Sequence, residues 1–442
     1  MREFSYPGRS NVLAQNGMVA TSNPLSSIEA IKILQKGGNA VDASIAASAV
    51  QAVVCPSATG LGGDCFAIIS LNGKDPIAVN GSGIAPKKIN LQYFIDNNIR
   101  KIELTSPHSV TIPGAVHAWC SMHEKYGKLD FEEVLKGAEN YARNGFPVHE
   151  VEAFAWKEKE YKLKQNENTR KLFLKNNQSY KFGEIFKNIP LANTIKLIGK
   201  HKIKGFYESD ITRDMVKTLN DIGGLHTEED FLHQNTNFSS TISGFYKEKK
   251  IHQCPLNGPG IIVLLMMAIN EKLNVSEFEP ASFERYHLQS EITKVCYEIK
   301  ETQLGDPNFN KISINNILND NFIENLCKKI NLKKVYNSKK AYVTSNPETV
   351  YLTVVDKDLN SVSFINSICH VFGSGISSKN SGILFQNRGV NFRLEKNHPN
   401  VIEGLKRPLH TIIPGLLMKQ DTPIMPFGVM GAHYQPVGQS HF

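Results

Sequence analysis

The sequence has no C-x-x-C pair, no low-complexity tract and no apolar run long enough to cross a bilayer. Each absence removes a class of protein. The seven cysteines are odd in number and scattered, which argues for free thiols in a reducing compartment over a disulfide or zinc framework. The longest apolar run, Ile261 to Ile269, falls short of the roughly 20 residues a membrane-spanning helix requires. The opening Met1-Arg2-Glu3-Phe4-Ser5-Tyr6-Pro7-Gly8-Arg9 lacks the apolar centre of a secretory signal. A cytoplasmic location, with no membrane partner, is the default expectation. The glycine-rich Ser57-Ala58-Thr59-Gly60-Leu61-Gly62-Gly63-Asp64 does not follow the G-x-G-x-x-G order of a dinucleotide loop. No cofactor and no metal is expected.

A net charge of +8 is spread along the chain. Its densest basic region, Lys157 to Lys181, is interrupted by Glu158, Glu160 and Glu167 and has few aromatics. That pattern describes a solvated helical face, not a nucleic-acid site. With 442 residues, 41% hydrophobic and 21% charged, the chain can build a large core. Length alone would allow two or three domains, but no linker or repeat divides it, so one compact unit is expected.

Gly17 to Thr21 reads as a short strand. Asn23 and Pro24 start a helix whose apolar stripe is Ile28, Ile31, Ile33 and Leu34, ended by Gly37-Gly38. Asn39 caps a second helix with a small-residue face of Ala43, Ala46, Ala47 and Ala49. Cys65 to Leu71 reads as a buried strand, turned by Asn72-Gly73 towards Ile77 to Asn80. From Gly114 to Lys340 the pattern is mostly helical, with Phe131 to Asn144 and Phe283 to Leu304 amphipathic and Gly260 to Leu273 apolar. Strands are predicted again over 349–356, 361–367 and 382–386. Helices and strands alternate, then cluster, which predicts layered α and β packing.

Within Glu348-Thr349-Val350-Tyr351-Leu352-Thr353-Val354-Val355-Asp356, apolar and polar residues alternate and β-branched residues dominate. Thr349 therefore stands at a strand start, at the mouth of a hairpin with Ser361 to Ser367. By itself that is an ordinary strand start. Four other stretches give it context: Gly37-Gly38-Asn39-Ala40-Val41-Asp42-Ala43, Gly60-Leu61-Gly62-Gly63-Asp64, Phe372-Gly373-Ser374-Gly375 and Lys406-Arg407-Pro408-Leu409. In this order and spacing they resemble the gamma-glutamyltranspeptidase family, from about Gly17 to Gly438.

The resemblance implies an α/β (α+β) fold, the N-terminal-nucleophile hydrolase αββα sandwich, made as an inactive precursor. It implies self-cleavage before Thr349 into a large subunit, 1–348, and a small one, 349–442, that stay folded together. The chemistry fits the residue. Thr349 Oγ attacks the Glu348 carbonyl, and water hydrolyses the resulting ester. The freed α-amine, with an ordinary pKa of about 7.7–8.0, then serves as base for the same hydroxyl. Ser367 falls where the family has a supporting Thr, and its alternative is a hairpin hydroxyl satisfied locally. Gly431-Ala432 matches the Gly-Gly pair whose backbone N–H groups form the oxyanion hole. For Gly60 to Asp64 a tight structural loop competes with substrate contact.

Several positions depart from the glutamyl-specific pattern. Ser82 stands where an Arg would grip the substrate α-carboxylate, and Asn391 where an Asp would grip the α-amine. His410-Thr411 replaces a Ser-Ser pair, and Cys369 an Asn. Arg388, in Asn387-Arg388-Gly389, resembles the branch that includes cephalosporin acylase homologues; it can bind an acidic acyl chain or form a structural ion pair. Tyr351 joins Ser82, Arg388, Asn391, His410 and Thr411 as a candidate substrate contact. The chain is also shorter than expected for the family, so its small subunit is expected to be incomplete. The expected function is acyl transfer or hydrolysis of a γ-glutamyl, glutathione-like or related small-molecule amide or peptide. A cephalosporin- or glutaryl-acylase-like amidohydrolase and an inactive binding homologue are the alternatives. A nucleic-acid partner is not expected.

Overall fold

A computed structural model describes residues 11–309, 313–338 and 349–441. Its strands are β1 (Gly17–Thr21), β2 (Asp64–Ser70), β3 (Ile77–Gly81), β4 (Phe146–Pro147), β5 (Ile185–Phe186), β6 (Asn237–Ser240), β7 (Ile242–Tyr246), β8 (Lys249–Gln253), β9 (Val350–Asp356), β10 (Ser361–Ser367), β11 (Gly415–Lys419) and β12 (Thr422–Phe427). Six form an antiparallel sheet in the order β1-β9-β10-β2-β3-β6, and four form a second in the order β12-β11-β8-β7. β4 and β5 make a small separate ribbon.

The sheets face each other. Phe66 and Ile68 of β2, Ala78 of β3 and Ile365 of β10 pack against Leu416 and Met418 of β11. The opposite face of the six-stranded sheet carries Val350, Leu352 and Val354, which pack with the helices Pro24–Gln35, Ala40–Val54 and Phe131–Asn144. Beyond the four-stranded sheet, the helices Gly260–Lys272 and Phe283–Gln303 share Ile261, Leu265, Leu288 and Ile292. The result is helices, sheet, sheet, helices. Each fully buried Val, Leu, Ile or Phe contributes about 1.5–3 kcal/mol through apolar area removed from water.

Local sequence explains how the first layer locks to the second. Asn39 and Asp42 form a reciprocal capping box at the start of the helix Ala40–Val54. All 15 of that helix's residues are buried, more than the small-residue face read from the sequence. Asp356, which ends β9, accepts the Ala40 N–H at 3.0 Å and the Asp358 and Asn360 N–H groups of the β9–β10 turn. One carboxylate thus closes the hairpin and holds the helix. Among the described residues, no helix is long and apolar enough to cross a membrane.

Three sequence expectations change. Residues 382–386 form no ladder strand; Leu384 and Phe385 make only isolated bridges, to Ser377 and Gly62. Inside the stretch read as helical lie β6, β7 and β8, whose polar, short segments carry weak alternation. In the first helix Ile33 is buried, whereas Ile28 and Ile31 are 45% and 43% exposed, so the stripe is narrower than its composition.

Candidate active site

Thr349 lies one residue ahead of β9, and the β9–β10 register, continued by one position, sets it opposite Ser367. The β10–β2 pairing sets Ser367 opposite Asp64. Segments remote in sequence therefore meet at one end of the sheet. A side chain at Gly63 would come within 2.4 Å of the Ser367 carbonyl oxygen, so glycine is what lets β2 begin this close. Glu348, the residue ahead of the expected cleavage point, lies outside the described residues.

Three donors converge on Ser367 Oγ. They are the Thr349 hydroxyl at 3.2 Å, the Cys369 N–H at 2.9 Å and Arg388 Nη2 at 3.3 Å. Arg388 Nη1 donates to Thr411 Oγ1 at 2.7 Å. Arg388 is fully buried, and its Nε has no partner. Among the described residues it pairs with no carboxylate, so the structural ion pair weighed from the sequence is not formed there. Its nearest response is in Cys369: burial opposes ionisation of that thiol, but Arg388 and His370 outweigh it and hold its pKa below the ordinary value.

His410 is fully buried, with Nε2 2.9 Å from Asp64 Oδ2. The other Asp64 oxygen accepts the Gly83 N–H and the Gln386 side-chain amide, each at 2.8 Å. A carboxylate that only accepts puts the imidazole hydrogen on Nε2. Nδ1 is then a lone-pair acceptor, and it has no partner. Burial, reinforced by Arg388, lowers the His410 pKa to about 4, so the ring is neutral near pH 7.

Ser82 is buried, and its Oγ donates to Asn80 Oδ1 at 2.8 Å. Arg407 Nη1 donates to the Ser82 carbonyl at 2.7 Å, and the Arg407 N–H donates to Asp306 at 2.8 Å. The Lys406-Arg407-Pro408 motif thus braces the strand end where the family's clamp would start. Asn391 Nδ2 donates to the Leu409 carbonyl at 3.0 Å. Tyr351 OH lies 2.9 Å from Ser363 Oγ, which donates to the Phe427 carbonyl at 3.2 Å. Because Ser363 spends its hydrogen on Phe427, Tyr351 donates to Ser363. The Tyr351 ring lies where a Gly428 side chain would stand, 2.4 Å from its Cβ position. Tyr351 therefore anchors the segment leading to Gly431-Ala432, whose φ angles are +116° and +45°. Gly suits the first; Ala at the second holds a left-handed backbone that costs about 1–2 kcal/mol.

A cavity of about 700 Å³ opens beside these residues. His370, Asn391, His410, Lys300, Arg393 and His433 are among the residues that line it. Thr349, Ser82, Tyr351, Arg388 and Thr411 do not line it. Nothing along the chain links Lys300 to His433; only folding sets the Lys300 Nζ 2.8 Å from the His433 Nδ1. Asp64 was visible as a loop residue but not as the acceptor for His410. One set of potential metal ligands exists among the described residues, Cys55, His149 and Glu152, whose donor atoms lie within 4.8 Å of one another; Glu152 accepts from the Ser57 hydroxyl at 2.8 Å.

The paired sheets between helical layers, with a threonine hydroxyl opening an inner strand, define an N-terminal-nucleophile hydrolase fold. The gamma-glutamyltranspeptidase family model matches residues 26–441, and the chain belongs to that family of amidohydrolase enzymes. It is 32% identical to a glutathione hydrolase-like proenzyme of Bacillus subtilis, over 97% of this chain and 81% of the relative. It is 27% identical to an oxamate amidohydrolase proenzyme of Klebsiella pneumoniae, over 98% of this chain and 82% of the relative. The crystal structure of a cephalosporin acylase from Bacillus halodurans superposes with a TM-score of 0.89 at 32% identity, covering 100% of this chain and 82% of that one.

Proposed function

We propose that this protein is a self-processing acyl-transfer enzyme whose Thr349 hydrolyses amides of acidic acyl groups. Arg388 carries the reading. It is a fully buried guanidinium without a carboxylate among the described residues, hydrogen-bonded to the same Ser367 oxygen as the Thr349 hydroxyl. A buried charge of this kind is costly until an anion meets it. The acyl group of a substrate held by Thr349 would supply that anion.

In processing, Thr349 Oγ bonds to the Glu348 carbonyl carbon as the C–N bond breaks, and the nitrogen takes the hydroxyl proton. Water then cleaves the ester, returning hydrogen to Oγ and leaving the Thr349 α-amine free. In turnover that amine takes the Oγ proton while Oγ attacks the substrate amide. Ser367 holds the hydroxyl, and the Gly431 and Ala432 N–H groups stabilise the oxyanion. Water, or an amine acceptor, releases the acyl group.

γ-Glutamyl amides are the second reading, favoured by family membership. They require a counter-charge for an α-ammonium group, and the positions available offer Asn391 and neutral His410 beside a cationic Arg388. The acidic acyl group without an amine fits that surrounding better. The name of the oxamate amidohydrolase relative, whose substrate is an acid amide, runs in the same direction.

An intact-mass spectrum of the purified protein separates catalysis from a binding role. Two fragments divided before Thr349 are expected, and one whole chain for Thr349→Ala. A wild-type chain that stays whole at neutral pH sinks the self-processing reading. Glutaryl-anilide should then exceed γ-glutamyl-anilide in kcat/KM by about tenfold or more, the value of one charge-assisted contact. The reverse preference would return the enzyme to the γ-glutamyl class.

A further inference from the structure

Three residues with metal-ligating side chains meet where two helices come together, and none of them lines the cavity described above. Cys55 is the C-terminal cap of the helix Ala40–Val54, and His149 is the N-terminal cap of the helix Glu150–Gln165. Glu152 lies in the first turn of that second helix. A sulfur, a ring nitrogen and a carboxylate oxygen, one from each residue, lie within 4.8 Å of one another. Cys55 and Glu152 are buried. The His149 side chain makes no capping hydrogen bond, and its Nε2 is buried without a hydrogen-bond partner. Burial lowers the His149 pKa, so the ring is neutral near pH 7 and keeps a lone pair for a metal.

The surrounding hydrogen bonds suit ligands of this kind. Ser57 donates to Glu152 twice, from its N–H at 3.3 Å and from its hydroxyl at 2.8 Å. Asn23 Nδ2 donates to Cys55 Sγ at 3.5 Å. Such donors orient a carboxylate and a thiolate for a metal. Zinc stands about 2.3 Å from sulfur and about 2.0–2.2 Å from nitrogen or oxygen, which sets tetrahedral ligand atoms about 3.3–3.8 Å apart. Drawing the three atoms together by about 1 Å reaches that spacing, a movement within the range of side-chain rotation. A divalent ion held by one thiolate, one carboxylate and one neutral imidazole forms a neutral group, so burial does not oppose it. Mg²⁺ and Ca²⁺ require oxygen shells; sulfur, nitrogen and oxygen together select Zn²⁺ or Co²⁺.

We propose that Cys55, His149 and Glu152 bind one zinc-class divalent ion, at a site separate from the acyl-transfer centre. The Cys55 thiol gives its proton to solvent as the metal–sulfur bond forms, and three protein ligands leave the fourth position to water. The role of the ion is structural. The Ser57 carbonyl accepts the Phe372 N–H at 2.8 Å, and Thr59 Oγ1 accepts Asn366 Nδ2 at 2.6 Å. Lys162, on the same helix as Glu152, donates to the Val371 carbonyl at 2.9 Å. Loop and helix therefore both grip the chain on either side of Ser367, and the ion fastens one to the other behind it. The site does not depend on the acyl-transfer reading.

The test is titration of the purified, untagged full chain with Zn²⁺ and with Co²⁺ after treatment with a chelator. One equivalent of Zn²⁺ per chain is expected, bound more tightly at about pH 8 than at about pH 6 because the thiol must lose its proton. Bound Zn²⁺ should raise the thermal midpoint, and bound Co²⁺ should show thiolate-to-metal charge-transfer absorption. Cys55→Ser should abolish that band. His149→Gln should weaken binding at least tenfold and remove most of the thermal gain. His149 is only half-buried, so its variant decides if Cys55→Ser fails to fold. Absence of stoichiometric binding overturns the site. So does Co²⁺ binding whose spectrum and affinity are unchanged in a folded His149→Gln.

Discussion

Ser367 and Arg388 are the residues where function and stability pull apart. Ser367→Ala removes the acceptor of the Thr349 hydroxyl and leaves the Cys369 N–H without its partner. Loss of one such buried bond costs about 1–3 kcal/mol, so processing and turnover should slow by about 10- to 100-fold, measured by fragment appearance and kcat. Ser367→Thr keeps the oxygen and should keep both rates. For Arg388 the directions differ. Arg388→Met removes a buried charge without a carboxylate, so its urea midpoint should rise, by about 1–4 kcal/mol of stability. Its activity on glutaryl-anilide should fall in the same preparation. A variant that loses stability would mean that the guanidinium is structural.

At the level of elements, the β9–β10 hairpin does two jobs through opposite faces. Val350, Leu352 and Val354 bind it to the helical layer. On the other face Tyr351, through Ser363, holds the Phe427 carbonyl and the approach to Gly431-Ala432. Tyr351→Phe keeps the ring and cuts this chain. Stability should drop by only about 0.5–1.5 kcal/mol, while kcat falls more than KM rises, because the proposed oxyanion donors lose their brace. A larger loss of stability with unchanged kcat would remove Tyr351 from this role. The hairpin itself was legible: alternation and β-branching predict strands, and Asp356 to Asn360 predict their turn. The 382–386 segment was misread because an apolar run of five residues does not say whether a neighbouring strand is present.

For the whole molecule, the buried histidines set its acid stability. Burial lowers His226 and His410 to about 4, with His117 and His252 also lowered to about 4 by burial and nearby cations. Unfolded, each would titrate near 6.5. Between those values the unfolded chain binds more protons than the folded one, so stability is full above about pH 6.5 and is lost as pH falls towards 4. For fully buried His226 and His410 the loss is on the order of 3 kcal/mol each. Asp42, raised by burial despite its N–H donors, opposes this slightly. Urea unfolding at pH 7 and pH 4.5 should show a clear fall in midpoint; an unchanged midpoint would show that these rings are not held neutral.

The strands around Thr349 and the family were legible in the sequence, because β periodicity, glycine position and motif order are local properties of the chain. That Ser82 and Asn391 carry no charge was equally legible, since a missing charge is visible as a letter. Only the tertiary structure decided that Arg388 lacks a carboxylate among the described residues. It alone fixed the His410 tautomer through Asp64, 346 positions away, and brought Lys300 to His433. Those facts depend on which buried polar groups find partners. That is fixed when sheets and helices pack, and no spacing along the chain encodes it.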